Sequence, residues 1–176
     1  MLGQTRRMAI ELRAATVADS VRLREIEREA GEQFRTVGMA DVADHDPFTV
    51  EELRAYAAGG RSWVAAEGVH IVGYVVIDCV GRAAHIEQVS VVPEAQGRGI
   101  GRLLVDRVRE WAVENGLSAL TLTSFREVSW NAPLYAHLGF RILAEGELTS
   151  ELRAIREHEA DQGLDHAQRV CMQLDL

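Results

Sequence analysis

The sequence contains no lysine. All 19 basic residues are arginines, and 27 aspartates and glutamates give the 176-residue chain a net charge of -8 at pH 7. A surface that tracks nucleic-acid phosphates needs a dense basic patch, and attraction to anionic lipid headgroups needs clustered positive charge. We therefore expect neither a nucleic acid nor a membrane among the partners of this protein.

Cysteine is almost as scarce. Cys79 and Cys171 both lie in apolar runs, where a small buried side chain is expected. The six histidines include no pair four residues apart and no HExxH motif. No metal site is therefore predicted.

Long apolar runs are absent too. No segment approaches the ~18 apolar residues of a membrane-spanning helix, and Arg6 and Arg7 are not followed by the apolar core of a signal peptide. We expect a cytoplasmic protein in which residues 1–8 form a disordered leader.

The length and composition fit one globular domain. With 47% hydrophobic and 26% charged residues the chain is similar to average soluble domains, and 176 residues are too few for two well-buried cores. No internal repeat or low-complexity segment divides the chain. Residues 1–176 are therefore predicted to form a single domain.

The first sixty residues predict one strand and two helices. Thr16 and Asp19, and again Thr49 and Glu52, have the spacing of a capping box, which marks a helix start. Apolar residues at intervals of three and four follow the first box, and a glycine pair ends the second helix. The predicted elements are a strand at 10–14, a helix through Phe34, a loop at 36–47 and a short helix from residue 50.

The rest of the chain predicts three adjacent strands followed by alternating helices and strands. Short turns make the three strands antiparallel, whereas a strand, a helix and a strand in succession predict a right-handed parallel crossover. Ser129 is the predicted N-cap of the fourth helix. The predicted strands are 62–66, 70–80, 84–92, 119–124, 140–144 and 169–174, and the helices are 100–115, 130–138 and 152–160.

The densest chemical signal is segment 96–101, with the sequence QGRGIG, which follows a predicted strand and opens an amphipathic helix. Glycine lets the backbone approach a ligand closely, and the first N–H groups of a helix have no intrahelical partner. The turn can therefore bind an anion such as phosphate. The segment matches neither the GxxxxGK[ST] motif nor the dinucleotide fingerprint GxGxxG with its downstream acid.

Segment 96–101 resembles the Q/R-x-x-G-x-G/A signature of the GNAT superfamily of N-acetyltransferases position for position. The order of predicted elements is similar to that of the family over residues 8–145, and residues 146–176 form a C-terminal extension with a last strand. The resemblance implies an α/β (α+β) fold. Its central sheet is mixed, mostly antiparallel and of about seven strands, flanked by four or five helices.

The resemblance also implies acetyl-CoA as co-substrate. Val89 and Val91 on the fourth strand would then lend backbone groups to the pantetheine arm, and the glycine segment would hold the pyrophosphate. Arg98 and Arg102 are candidates for additional phosphate contacts, the alternative for each being a solvated arginine. The cofactor-binding residues that the segment implies are Gln96, Gly97, Arg98, Gly99, Ile100 and Gly101.

A second constellation, residues 130–140, is similar to the Y-x-x-x-G-F ending of the family's fourth helix. Acyl transfer from a thioester needs a proton for the departing thiolate, and a tyrosine with a pKa near 10 suits that task. Tyr135 matches the family's general-acid tyrosine. Asn131 is the candidate CoA-binding asparagine, although many members carry it seven residues before the tyrosine, where this chain has Val128.

The general base is expected on the strand that leads to the cofactor. Glu87 is the first choice, because family members often place a glutamate on this strand and partial burial raises the pKa of a carboxyl group. His85 is the alternative, since an imidazole can deprotonate an ammonium group near neutral pH. Strand alternation puts both side chains on one face unless a bulge intervenes.

These features predict an N-acetyltransferase that moves an acetyl group from acetyl-CoA to a primary amine by direct attack in a ternary complex. A small-molecule acceptor is expected near segment 34–48 and the chain after Glu145. The C-terminal extension is expected to cover the acceptor site or to support a homodimer. The alternatives are a protein or peptide N-terminal acetyltransferase and a non-catalytic acyl-CoA-binding regulatory module. The expected acceptor residues are Phe34, Asp41, Asp44, Asp46 and Phe48.

Overall fold

The structure, a computed structural model, describes residues 8–164 and 168–176. Residues 1–7 of the expected leader lie outside the described residues, and Met8 is exposed. Within the described residues the chain forms seven strands and six α-helices. The strands are β1 (Ile10–Ala14), β2 (Ser62–Glu67), β3 (His70–Val80), β4 (Ala83–Val91), β5 (Ala119–Phe125), β6 (Arg141–Ile142) and β7 (Arg169–Asp175). The helices are α1 (Ser20–Gly31), α2 (Ala40–Ala43), α3 (Val50–Ala58), α4 (Ile100–Glu114), α5 (Ala132–His137) and α6 (Ser150–Asp161).

The strands form one mixed sheet. In the described part of the chain the strand order is β1-β2-β3-β4-β5-β7-β6, and β4 and β5 are its one parallel pair. Helix α4 connects these two strands, because parallel neighbours need a crossover connection. The expected mixed, mostly antiparallel sheet is thus confirmed.

The helices cover both faces of the sheet. Tyr74 of β3 donates to a carboxylate oxygen of Glu27 in α1 over 2.7 Å, on the face that also carries α3 and α6. We call this face A. Successive strand residues point to opposite faces, so Gly73 points to face B, where a Cβ would lie 3.3 Å from Ile100 of α4.

Apolar packing fixes the helices to the sheet. Leu104 and Val108 of α4 are fully buried, and Trp111 lies edge-to-face against Trp63 of β2 with ring centroids 5.9 Å apart. On face A, Leu23 of α1 is fully buried as well. Truncating such a leucine to alanine costs about 2–5 kcal/mol. The apolar stripes that predicted these helices therefore also hold them in place.

Several element boundaries differ from the predictions. Helix α1 ends at Gly31, and a 3-10 helix, Glu32–Val37, continues the chain until Gly38, whose φ is 76°. The predicted loop at 36–47 contains the short helix α2. Strand β6 has two residues instead of the predicted five. Strand β6 lies at the edge of the sheet, where local pattern specifies structure least.

Helix α5 begins at Ala132, and Asn131 rather than the predicted Ser129 occupies its N-cap position. Pro133 in the first turn favours this start, because its fixed φ is helical and its missing N–H is not needed there. The later start brings Asn131 next to the end of β5.

The two cysteines have different environments. Cys171 is buried, as predicted, in a small cluster with Leu148 and Leu152 that attaches α6 to the sheet. The same expectation is wrong for Cys79, which is exposed. The residue opposite it on β4 is Ala84, whose side chain is too small to cover the thiol.

Candidate active site

Strands β4 and β5 separate midway along their length. They pair over four residues each, ending at Ile86↔Leu122, although both strands are described to their ends at Val91 and Phe125. Beyond that point β4 stays paired with β3, and β5 with β7. The separation opens a gap between two strands whose backbone groups are strong hydrogen-bond donors and acceptors.

The backbone of Val89 and Val91 faces this gap. Val92 N donates to Val72 O of β3 over 2.9 Å. Because successive N–H and C=O groups alternate in direction, those of Val89 and Val91 point away from β3. The Val91 carbonyl accepts a hydrogen bond from Gln96 Nε2 at 3.0 Å. The strand edge predicted to bind pantetheine therefore lies along the gap.

Glycine shapes the turn that follows β4. Gly97 and Gly99 have φ values of 72° and 76°, in the left-handed region that favours glycine. A Cβ added at Gly97, Gly99 or Gly101 would meet no atom within 4 Å, so this surface is open to a ligand. Helix α4 begins at Ile100, and its first N–H groups lack intrahelical acceptors. The turn can therefore bind phosphate through its backbone.

The two arginines of this region have different surroundings. Arg98 donates from both Nη atoms to the two carboxylate oxygens of Glu67 on β2, each at 3.0 Å. Arg102 is 68% exposed on the first turn of α4, with Asp106 3.7 Å away. Arg102 is thus largely exposed to solvent, whereas Arg98 is engaged by Glu67.

Glu87 lies in a β-bulge where β4 and β5 separate. Val76 pairs with Gln88, and the next residue of β3, Ile77, pairs with Ile86. Glu87 is therefore the additional residue on β4, and the bulge interrupts the simple alternation of side chains. A bulge of this kind re-aims a side chain, which here is a carboxylate at the mouth of the gap.

The carboxylate of Glu87 has no hydrogen-bond or ion-pair partner within the part of the chain that the structure describes. Burial, together with the negative charges of Asp78 and Glu159, raises its pKa to about 7. A partly buried carboxylate that titrates near neutral pH has the properties of a general base.

Two ion pairs that the sequence did not predict lie around Glu87 on face A. Arg61 pairs with Asp78 at the end of β3. Arg169 of β7 donates from Nε to Glu159 of α6 at 2.9 Å. The partners are 17 and 10 residues apart and lie on different elements, so no local motif marked them.

Unlike Glu87, His85 is fully buried and has a hydrogen-bond partner. It is 1% exposed, and its Nδ1 lies 2.9 Å from Thr121 Oγ1. Burial lowers the pKa of the imidazole to about 4. At neutral pH the ring is therefore uncharged, held by a hydrogen bond and shielded from solvent.

Tyr135 approaches from face B. It lies one turn into α5, and its ring packs edge-to-face against Phe140 with centroids 5.8 Å apart. Phe140 lines a cavity with Met172 on this face. Burial raises the pKa of the Tyr135 phenol well above its usual value, and the positive charge of Arg169 opposes part of that rise. The phenol is therefore protonated at neutral pH.

Asn131 fastens the start of α5 to β5. Its Oδ1 accepts hydrogen bonds from Ser124 Oγ at 3.1 Å and from Phe125 N at 3.4 Å. These bonds place α5 beside the open end of the gap. A contact between Asn131 and CoA stays a prediction, for which the Nδ2 group is the available donor.

A cavity of about 580 Å³ lies at the end of β5, lined by residues 37–39, 125–129 and Gln168. Beside it, Phe34 packs edge-to-face on Phe125 and on Trp130, with centroids 5.6 Å apart in both pairs. Of the expected acceptor residues, Phe34 therefore adjoins this cavity. Asp44 instead pairs with Arg35 at the surface.

Within residues 8–164 and 168–176, no three His, Cys, Asp or Glu side chains are grouped so as to hold a metal ion. No helix in these ranges is long and apolar enough to cross a membrane.

A parallel strand pair that separates beside a glycine-rich helix start is the arrangement that the resemblance to N-acetyltransferases predicts for a CoA thioester. Residues 58–142 match the family described as the acetyltransferase (GNAT) domain. This stretch of the chain is therefore a GNAT acetyltransferase domain, and acetyl-CoA fits it as the co-substrate. The resemblance carried by segment 96–101 is thus confirmed.

Similar proteins include thialysine N-epsilon-acetyltransferase of Bos taurus, which is 29% identical over 119 residues, covering 66% of this chain and 67% of that protein. The curated relatives are matched over 39% to 67% of their own lengths.

Solved structures share the fold. PaiA N-acetyltransferase of Thermoplasma acidophilum, solved with coenzyme A, has a TM-score of 0.73 at 15% identity. The match covers 96% of this chain and 100% of the PaiA chain. Ribosomal-protein-S18-alanine N-acetyltransferase of Escherichia coli has a TM-score of 0.65 at 15% identity. That match covers 95% of this chain and 94% of the Escherichia coli chain.

Proposed function

We propose that this protein transfers the acetyl group of acetyl-CoA to a primary amine of a small molecule. One arrangement supports the proposal: Glu87 lies on face A in the bulge where β4 and β5 separate, and Tyr135 lies on face B in α5, whose start is hydrogen-bonded to the end of β5. An amine entering from face A would meet the carboxylate, and a thiolate departing toward face B would meet the phenol.

Acetyl-CoA supplies an activated thioester to this site. Its proposed contacts are the backbone of Val89 and Val91 for pantetheine, the turn 96–101 for pyrophosphate, and Arg102 and Asn131 at the margins. The open surface at the three glycines of the turn supports this assignment, because a bound phosphate needs close access to backbone N–H groups.

In the proposed reaction the amine nitrogen bonds to the acetyl carbon, and the bond from that carbon to sulfur breaks. Glu87 accepts the proton that the amine nitrogen loses, and Tyr135 Oη donates a proton to the departing sulfur. The N–H of Val89 or Val91 donates to the acetyl oxygen, a contribution often worth about 3 to 4 kcal/mol.

Direct attack is favoured over a cysteine-bound intermediate. Burial raises the pKa of the Cys171 thiol to about 11, so its reactive thiolate form is rare at neutral pH. Cys79 lies beside the β3–β4 turn rather than beside the gap. A ternary complex of acetyl-CoA and amine therefore fits the site.

A small acceptor is supported by the cavity at the end of β5, whose volume of about 580 Å³ lies in the range of small-molecule sites. The name of the Bos taurus relative likewise specifies a small amine. A protein N-terminus is the second candidate acceptor. Its support is limited to the fold shared with the Escherichia coli enzyme.

The test uses the purified full chain with acetyl-CoA and a panel of thialysine, short diamines, aralkylamines and peptides with free N-termini. Thiol release and acceptor mass report turnover. We expect release with small amines and an acceptor mass gain of one acetyl group. Acetylation of peptides alone would move the assignment to the second candidate. Tight CoA binding with no release on any amine would indicate a regulatory module.

Cytoplasmic location and a homodimer stay predictions. Light scattering of the purified chain tests the second. A particle of twice the 19.5 kDa monomer mass is the expected result for a dimer.

A further inference from the structure

The turn proposed to hold the CoA pyrophosphate has little rigidity of its own. Arg98 stands between Gly97 and Gly99, both with positive φ, and glycine has more backbone freedom to lose than any other residue. No packing atom lies within 4 Å of where their Cβ atoms would be. Backbone hydrogen bonds hold its two ends, from Gln96 N to Pro93 O and from Leu103 N to Gly99 O, and contacts that its side chains make elsewhere add to them.

Two side chains provide such contacts. Gln96 Nε2 donates to Val91 O at 3.0 Å and ties the start of the turn to β4. Arg98 forms two parallel hydrogen bonds, each 3.0 Å long, to both carboxylate oxygens of Glu67. A bidentate pair of this geometry fixes orientation as well as distance.

The Arg98–Glu67 pair is well shielded. The side chains of Arg98 and Glu67 are 19% and 22% exposed. Among the ion pairs of the described residues, only Arg169–Glu159 also has both side chains less than 25% exposed. Glu67 is itself held in the sheet, as the last residue of β2, opposite Ile10 and His70. The carboxylate is thus a fixed point against which the turn is set.

We propose that Glu67 is a positioning residue for the cofactor: it holds Arg98, and through Arg98 the glycine turn, so that backbone N–H groups face the phosphates. Arg98 then acts as an anchor rather than as a phosphate ligand. Because the Glu67 carboxylate offsets the positive charge of Arg98, attraction of phosphate falls to the start of α4 and to Arg102. This inference rests on the proposed function.

A double-mutant cycle tests it, with the affinity for CoA measured by calorimetry on the purified full chain. Glu67→Gln and Arg98→Gln should each weaken CoA binding about tenfold, and the double variant should be no weaker than either single variant. The KM for acetyl-CoA should rise by the same factor, with kcat within about twofold. Pantetheine, which has no pyrophosphate, should bind all variants alike.

Two further variants sharpen the test. Exchanging the charges in Glu67→Arg/Arg98→Glu should recover most of the lost affinity, because the anchor is restored with the opposite polarity. Glu110→Gln removes an exposed carboxylate from the outer side of α4, where it pairs with Arg107, and should leave CoA affinity unchanged.

The competing role for Arg98 predicts a different pattern. If Arg98 binds phosphate itself, Glu67→Gln frees it and CoA affinity stays or improves, which overturns the proposal. Loss of pantetheine affinity together with a lower Tm would show general destabilisation and would also overturn it. A wild-type chain that does not bind CoA would refute the proposed function instead.

Discussion

The Nδ1 atom of His85 lies 2.9 Å from Thr121 Oγ1, within the short stretch where β4 and β5 still pair. Glu87, two residues further along β4, lies just beyond that stretch and has a carboxylate without a partner in the described part of the chain. The end of the ladder thus separates a buried, hydrogen-bonded histidine from an available carboxylate. Of the two candidate bases, the structure favours Glu87.

Replacing Glu87 by glutamine should lower kcat/KM for the amine by about 10² to 10³-fold, the range for loss of a general base. The affinity for CoA should change little, because none of the proposed CoA contacts involves the Glu87 side chain. Steady-state kinetics and calorimetry measure the two quantities. The matched control is Glu110→Gln, an exposed glutamate on α4. Equal activities of the two variants would remove Glu87 from the mechanism.

The activity of the wild type should rise with pH through a transition near pH 7. The base is active as a carboxylate, and burial raises the pKa of Glu87 to about 7, so the active fraction grows about tenfold between pH 6 and pH 8. Ionisation of the acceptor amine also makes the activity depend on pH, so the pH profile of the wild type is compared with that of Glu87→Gln. A transition near pH 7 that persists in the variant would assign it to another group.

Glu87→Gln should also stabilise the protein above pH 7. Because burial raises the pKa of Glu87 in the folded state, the folded form binds the proton more tightly than the unfolded chain. Stability is therefore lost as the pH rises from about 4.5 to about 7, by up to roughly 3 kcal/mol. Urea unfolding should show a gain for the variant that is several-fold larger at pH 8 than at pH 5. A gain of similar size at both pH values would contradict this origin.

Tyr135→Phe should lower kcat by about 10²-fold while acetyl-CoA affinity is nearly kept. Phenylalanine preserves the edge-to-face contact with Phe140 and removes only the hydroxyl proton. Single-turnover kinetics with calorimetry separate the two effects. If neither turnover nor affinity changes, another group protonates the sulfur.

Glu159→Gln should destabilise the fold by about 3 kcal/mol, because it leaves the guanidinium of Arg169 shielded and without its charge partner. The two side chains are 12% and 17% exposed, and Arg169 lies over the Phe125 ring at 4.6 Å. Glu145→Gln, which breaks the exposed pair with Arg153, should cost less than about 1 kcal/mol. Urea denaturation compares them, and equal losses would show that shielding is unimportant here.

The sequence by itself determined the elements whose signals are local. The capping boxes at Thr16 and Thr49 precede helical segments at the predicted positions, and Asp19 accepts from Thr16 N at 2.7 Å. The apolar stripe of α4 and the glycine turn before it were likewise predicted from local sequence patterns. Each depends on residues only a few positions apart, which chain geometry alone brings together.

The tertiary structure alone decided which chemical groups meet. The bulge at Glu87 exists because β3 and β4 shift register there, and the contact of Arg98 with Glu67 joins residues 31 positions apart. The Arg169–Glu159 pair connects the last strand, β7, to helix α6. Strand register and the packing of distant elements set these contacts, and hydrophobic periodicity encodes which face a residue occupies but not its partner on that face.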